Sequence, residues 1–275
     1  MPTGEQDMSD RPPPLTREQV LAELDRLATV EHALCVEYLL IGYVLGRGVP
    51  FAVPGPSTQP VRDAADAAFG MALSEMGHLR KINGALALVG LAPQVGRAPG
   101  IGGDSGSEIA FGTLGLAQPD RFLDRQSAIA LAADALHAWL STAIAPPLFE
   151  GDLLDQLQFI LDTVGDHASP VTNLRARLAG LAPGDYLRVT RHDPADAIER
   201  SLLRLSDQHY ALIVATVQAS FAHDEQLGGQ LRNRALSLMD GLNEIVDLML
   251  QRGLLPAFTL RAAVAEPPAM PASPS

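Results

Sequence analysis

The stretch Ala64 to Val89, AADAAFGMALSEMGHLRKINGALALV, decides how the chain is read. Taken every three or four residues it gives Ala64, Ala68, Met71, Glu75, His78, Ile82, Ala85 and Val89, the apolar stripe of a core-facing helix with two polar interruptions. Residues three apart share a helix face, so the spacing predicts that Glu75 and His78 point together into the interior. A lone carboxylate there is costly unless something compensates it, and a metal ion held by Glu-x-x-His inside a helix bundle is one compensator. The simpler alternative is a boundary glutamate that reaches water and a histidine bonded to a backbone carbonyl.

The neighbouring segments supply more of the same pattern. Thr16-Arg17-Glu18-Gln19 reads as a capping box opening a helix that runs to about Gly46, with Leu24, Ala28, Glu31, Cys35, Tyr38 and Leu45 on its stripe. From Ala33 to Leu45 this helix is apolar nearly all round, which predicts a buried helix; Glu37 lies on a different face from Glu31 and ranks below it as a site residue. A third helix, from about Asp120 to Ile144 and ended by Pro146-Pro147, repeats the acid-x-x-His spacing with Asp134 and His137. Two such pairs plus Glu31 on a third helix point to a metal or catalytic cluster.

A fourth helix is expected from Asp152 to Val164, broken at Gly165-Asp166-His167, with Ser169 as N-cap and Pro170 opening its continuation to about Leu178. His167 falls at that junction with Asp162 and Asp166 near it in sequence, while Val164 occupies the position three residues before. Residues 93–120 carry five glycines from Gly96 to Gly106, then Gly112 and Gly115, and read as a structureless lid or substrate loop; no Gly-Lys-Ser/Thr ends the run, so it is no phosphate loop. Tyr186 to Val189 is short enough to be a strand or nothing. Two amphipathic helices, about Ala195 to Ala222 and Glu225 to Leu254, close the chain, with His209 on the first an isolated histidine and a weak candidate. The organisation expected is a disordered tail over 1–14, a bundle over 15–182, two packed helices over 183–258 and a second disordered tail over 259–275.

Composition sets outer limits. Hydrophobic residues make up 47% of the chain and aromatics 5%, and Ala and Leu outnumber the β-branched residues, which favours an all-α fold. A net charge of -12 with dispersed acids argues against a nucleic-acid or anionic-membrane surface. The single cysteine, Cys35, excludes an internal disulfide and a thiolate metal site. With no basic-then-apolar leader and no apolar run near ~20 residues, a cytoplasmic protein is expected.

Glu31-His32-Ala33, then Glu75-Met76-Gly77-His78-Leu79 continuing through Asn83-Gly84-Ala85 to Gly90-Leu91-Ala92-Pro93, resembles the ferritin-like domain of the iminophenyl-pyruvate dimer synthase type, found in violacein and chromopyrrolate biosynthesis. The resemblance spans most of residues 15 to 258, with the second helix its specific part. It implies a ferritin-like four-helix bundle with two additional C-terminal helices. It also implies a metal set of Glu31, Glu75, His78, Asp134 in place of Glu, and His167; spacing alone puts His137 where the resemblance puts His167. Asp134 is one methylene shorter than Glu, so it cannot bridge two metals from the same backbone position.

The function so implied is a non-heme iron oxidoreductase with one or two iron ions, acting on a small organic substrate, with Glu31, Tyr38, Glu75 and His78 at the reaction centre and Tyr38 as an outer-sphere donor. Rival expectations are a metal-free cavity using core Glu, His and Asp as acids and bases, and a non-catalytic helical scaffold. No nucleic-acid or membrane partner is expected, and a homodimer is left open.

Overall fold

The computed structural model describes residues 15–47, 58–102, 108–112, 116, 118–223 and 225–259. The expected tail at 1–14, all of the expected tail at 259–275 except Thr259, and most of the proline-rich segment after the first helix lie outside the described residues; Thr259, expected in that tail, is instead held by Asp207, which accepts from its amide at 2.9 Å. The fold is all-α: the chain is 72% helical, with eight helices and one two-stranded sheet among the described residues.

Helix α1 (Arg17–Val44) begins with the expected capping box, Thr16 accepting from the Gln19 amide at 3.3 Å while Gln19 accepts from the Thr16 amide at 2.8 Å. It is buried on every face, as an all-round apolar helix must be. An 18-residue window of α1 is long and apolar enough to cross a membrane, yet 89% of it is buried inside the protein, so core packing accounts for its composition. Helix α2 (Thr58–Leu88) lies along α1. The two approach closely where Gly42 faces Ala65, since a Cβ on Gly42 would stand 3.4 Å from the Ala65 carbonyl oxygen. At the end of α2 the Asn83 side chain closes the turn, donating to the carbonyls of Leu79 and Gln94 and accepting from the Gln94 amide at 2.7 Å.

The described part of the glycine-rich stretch carries secondary structure where a structureless loop is expected. It holds a small antiparallel hairpin, β1 (Gly100–Gly102) and β2 (Glu108–Ala110), and a 3-10 turn at Pro119–Arg121 that leads into α3 (Phe122–Ala143). The buried carboxylate of Glu37 anchors it. Glu37 accepts from the Gly112 amide at 2.8 Å and from Gln126 at 3.1 Å, and it pairs with Arg125, whose guanidinium also donates to the Ala110 carbonyl. Glu37 is thus a structural anion holding the hairpin to α1 and α3. Glu37→Leu should strand the largely covered Arg125 charge and lower unfolding free energy by about 3 kcal/mol, the low end for breaking a buried pair. Urea unfolding of wild type and variant measures this.

Helices α4 (Gly151–Asp162) and α5 (Ala168–Leu178) follow, and the short α6 (Pro183–Tyr186) occupies part of the stretch expected to be a strand or nothing. α2 contacts both α4 and α5, and α3 contacts α1, α4 and α5, so these five helices enclose one core. Helices α7 (Ala197–Phe221) and α8 (Glu225–Gln251) pack on each other and close over one side of α1. The buried Tyr210 hydroxyl of α7 lies 2.6 Å from Nε2 of His32, whose Nδ1 faces the Val95 carbonyl at 2.9 Å; Nδ1–H donating there leaves Nε2 to accept from tyrosine. Glu199 at the start of α7 accepts a bidentate pair from Arg191 at 2.6 and 3.0 Å and faces Arg252 beyond the end of α8, tying both ends of the pair together.

Candidate metal centre

Four elements deliver the polar core. α1 contributes Glu31, α2 contributes Glu75 and His78, α3 contributes Asp134 and His137, and the residue before α5 is His167. Glu31, Glu75, His137 and His167 are buried, and the His78 side chain retains 12% exposure. The helix stripes put these residues together because each occupies a position that an apolar residue would otherwise fill.

Within this set, one donor atom each from Glu31, Glu75, His78 and His167 lies within 4.8 Å of every other, and this group could hold a metal ion. Nδ1 of His78 is 2.8 Å from Oε2 of Glu75 and 3.5 Å from Oε2 of Glu31. Nε2 of His167 is 3.4 Å from the Glu75 oxygen and 3.7 Å from the Glu31 oxygen. Ligand bonds of roughly 2.0–2.2 Å put neighbouring donors roughly 3.0–3.6 Å apart, so two of these four edges already have the length a bound ion needs and the other two lie within about 0.2 Å of it. Oε2 of Glu31 and Nε2 of His167 are buried without a hydrogen-bond partner and face this common point. Buried polar atoms left unpaired are costly, and a cation between them removes the cost.

Asp134 and His137 stand one layer out. Nε2 of His137 holds Oε1 of Glu31 at 2.6 Å, which leaves Oε2 aimed at the centre. Asp134 is fully committed: Oδ1 accepts from the His167 amide at 2.8 Å and meets His167 Nδ1 at 2.9 Å, while Oδ2 accepts from the Ala168 amide at 3.1 Å. This carboxylate caps α5 and fixes the His167 ring so that Nε2 points inward, the arrangement by which outer carboxylates orient metal-bound imidazoles. The α5 N-terminus therefore begins at Ala168 rather than after an Ser169 cap, because the cap comes from α3 and not from the local sequence. Asp162 and Asp166, the acids near His167 in sequence, are exposed, and Asp166 instead accepts from the Ser169 amide at 3.0 Å. Asp134→Ala should weaken metal affinity about 10–100-fold while leaving the number of ions bound unchanged, as measured by competition with a fluorescent chelator.

Protonation follows the same geometry. Burial pushes the Glu31 carboxyl up, but bonds from His137, His167 and His78 outweigh it and hold it well below the ordinary carboxylate value. Burial disfavours charge on His78 and His167 as well, yet Glu31 and Glu75 raise His78 to about 9, and Asp134, Glu31 and Glu75 raise His167 to about 12. Without a metal, two imidazolium rings therefore face two carboxylates. A divalent ion that displaces both protons leaves the charge of the cluster unchanged, so the site suits such an ion electrostatically.

Tyr38, two turns along the same face of α1 as Glu31, is buried with its hydroxyl unpartnered; burial first, then the charges of Glu75 and Glu31, push its pKa up and keep it a neutral phenol. Burial likewise pushes the Cys35 thiol up, which keeps it protonated beside the cluster. His209 lies on α7 against Gly241 of α8, where a Cβ would stand 3.1 Å from its Nε2, and has no part in the cluster. The contribution the sequence understates is the orienting pair Asp134 and His137, whose spacing places them near the core without saying which atoms they hold. No protein-family model matches the chain, and neither the curated proteins nor the solved structures contain a match to it.

Proposed function

We propose that the protein is a ferritin-like non-heme iron oxidoreductase that binds one Fe(II) through Glu31, Glu75, His78 and His167 and oxidises a small organic substrate with dioxygen. The observation that carries this reading is the convergence of four donors on one point, two of them buried and unpaired. Two imidazoles with two carboxylates suit iron or manganese better than a thiolate-seeking ion. A single ion fits better than two, because the carboxylate that a second ion needs from α3 is Asp134, and both its oxygens serve α5 and His167. The bundle reading rests on the order α1, α2, α3 and the interrupted pair α4 and α5 around these side chains.

When bound, iron supplies a redox couple and an open coordination position. The chain's own part is to place the donors: Asp134 holds the His167 ring, His137 holds Glu31, and the apolar wall of α1 excludes water. Tyr38 keeps its proton and so is able to donate a hydrogen bond or a hydrogen atom into the site. A cytoplasmic setting and a diffusible substrate complete the proposal.

A metal-free acid–base enzyme is favoured by one observation only, the raised His78 beside the Glu31 carboxylate, which its histidine partners hold ionised. An anaerobic Fe(II) titration followed by admission of oxygen tests the choice. The iron reading expects saturation at about one ion per chain and oxygen uptake that follows the bound iron. No saturable binding makes the acid–base cavity or a plain helical scaffold the better account.

A further inference from the structure

A cavity of about 360 Å³ opens between α1, α2, α7 and α8, on a face of α1 and α2 adjacent to that of the metal donors. None of the four candidate ligands lines it. Its walls are chiefly aliphatic, with Leu39, Leu79, Ile213, Val217 and Met239 among them. Its volume is that of a small-ligand pocket, and apolar walls with a few polar groups are what such pockets have.

Apart from the Cys35 thiol, a weak donor, the polar groups deep in this cavity have their donors engaged. His32 gives its Nδ1–H to the Val95 carbonyl and its Nε2 accepts from the Tyr210 hydroxyl. The Ser220 hydroxyl donates to the Val217 carbonyl at 2.7 Å. Two arginines that also line the cavity differ: Arg80 of α2 is exposed and Arg232 of α8 half-exposed, and no carboxylate among the described residues pairs with either. Charge at the mouth and none inside match a ligand with one anionic end and an apolar body.

We propose that this cavity binds an apolar organic acid, its hydrocarbon part between α1 and α7 and its carboxylate at the mouth beside Arg80 and Arg232. Guanidinium suits a carboxylate through paired N–H donors, and an apolar body of about ten carbons gains by leaving water. The site is independent of the iron reading, since it shares no residue with the metal donors and requires no ion to form.

Titration calorimetry of the full-length, metal-free protein with decanoate and with decanol tests the proposal. Wild type should bind decanoate at least about tenfold tighter than decanol, because partly exposed charge-assisted bonds contribute about that much. Arg80→Gln with Arg232→Gln should remove the difference and leave decanol affinity unchanged; both positions are solvent-facing, so folding is preserved. A third variant, Val217→Trp, should block both ligands by filling the cavity. Equal affinities for decanoate and decanol in wild type, binding that ignores the arginine changes, or no binding of either ligand would each overturn the proposal. Because metal is absent throughout, failure here leaves the iron reading standing, and failure of iron binding leaves this one standing.

Discussion

Glu75→Ala abolishes stoichiometric Fe(II) binding, with a loss of affinity above about a hundredfold, whereas His209→Ala stays within about twofold of wild type. Glu75 supplies one of only two carboxylate oxygens in the donor group, and both imidazoles face it, His78 at 2.8 Å and His167 at 3.4 Å. Its removal leaves one anion to balance a divalent ion inside a core where unbalanced charge is expensive, a larger defect than losing an orienting partner, which costs about 10–100-fold. Alanine in place of His209 trims a side chain wedged between α7 and α8 and touches no donor. Anaerobic titration of both variants measures the contrast. Binding by Glu75→Ala with wild-type affinity means that the four-donor group is not the site.

The second large effect is on pH. Metal binding must displace the protons that His78 and His167 carry in the empty site, since only neutral imidazole coordinates. With His78 raised to about 9 and His167 to about 12, both protons compete with the ion across the neutral range. Affinity should therefore rise steeply with pH, by up to about a hundredfold per unit for two displaced protons, until the curve bends near pH 9 as His78 titrates. Stability of the metal-free protein should run the other way. A histidine whose folded value lies above its unfolded value of 6.5 contributes stability that is complete below pH 6.5 and is lost as pH rises through about 9. Added metal should reverse that loss. Chelator competition and thermal unfolding at pH 6, 7.5 and 9 read both slopes, and a metal affinity that is flat over this range contradicts the proton-filled cluster.

Much of the fold was legible because helix stripes are periodic. The capping box at Thr16 to Gln19, the stripe of Glu75 and His78, and the all-round apolar run from Ala33 to Leu45 each translated into a local structure by elementary geometry. That last run also held the information about Glu37. An acid in a helix buried on all sides is buried whichever face it occupies, so ranking Glu37 by face alone missed its partners Arg125, Gln126 and Gly112. Those partners lie 75 or more residues away and leave no local trace. The choice between His137 and His167 was out of reach of spacing for a related reason. His137 has the regular acid-x-x-His geometry, yet its ring meets Glu31, while His167 gains its inward direction from Asp134 across 33 residues of sequence. The hairpin of β1 and β2 has three residues per strand, too few for alternation to stand out against glycine.

Elemental analysis of protein purified without chelators, beside a Glu31→Gln and Glu75→Gln double variant prepared identically, is the most direct measurement of the metal centre. The double variant keeps the volume of both side chains and removes their charge. The account predicts about one iron per wild-type chain and background metal in the variant. Equal, background-level metal in both preparations, persisting after anaerobic reconstitution of the wild type with Fe(II), would contradict it.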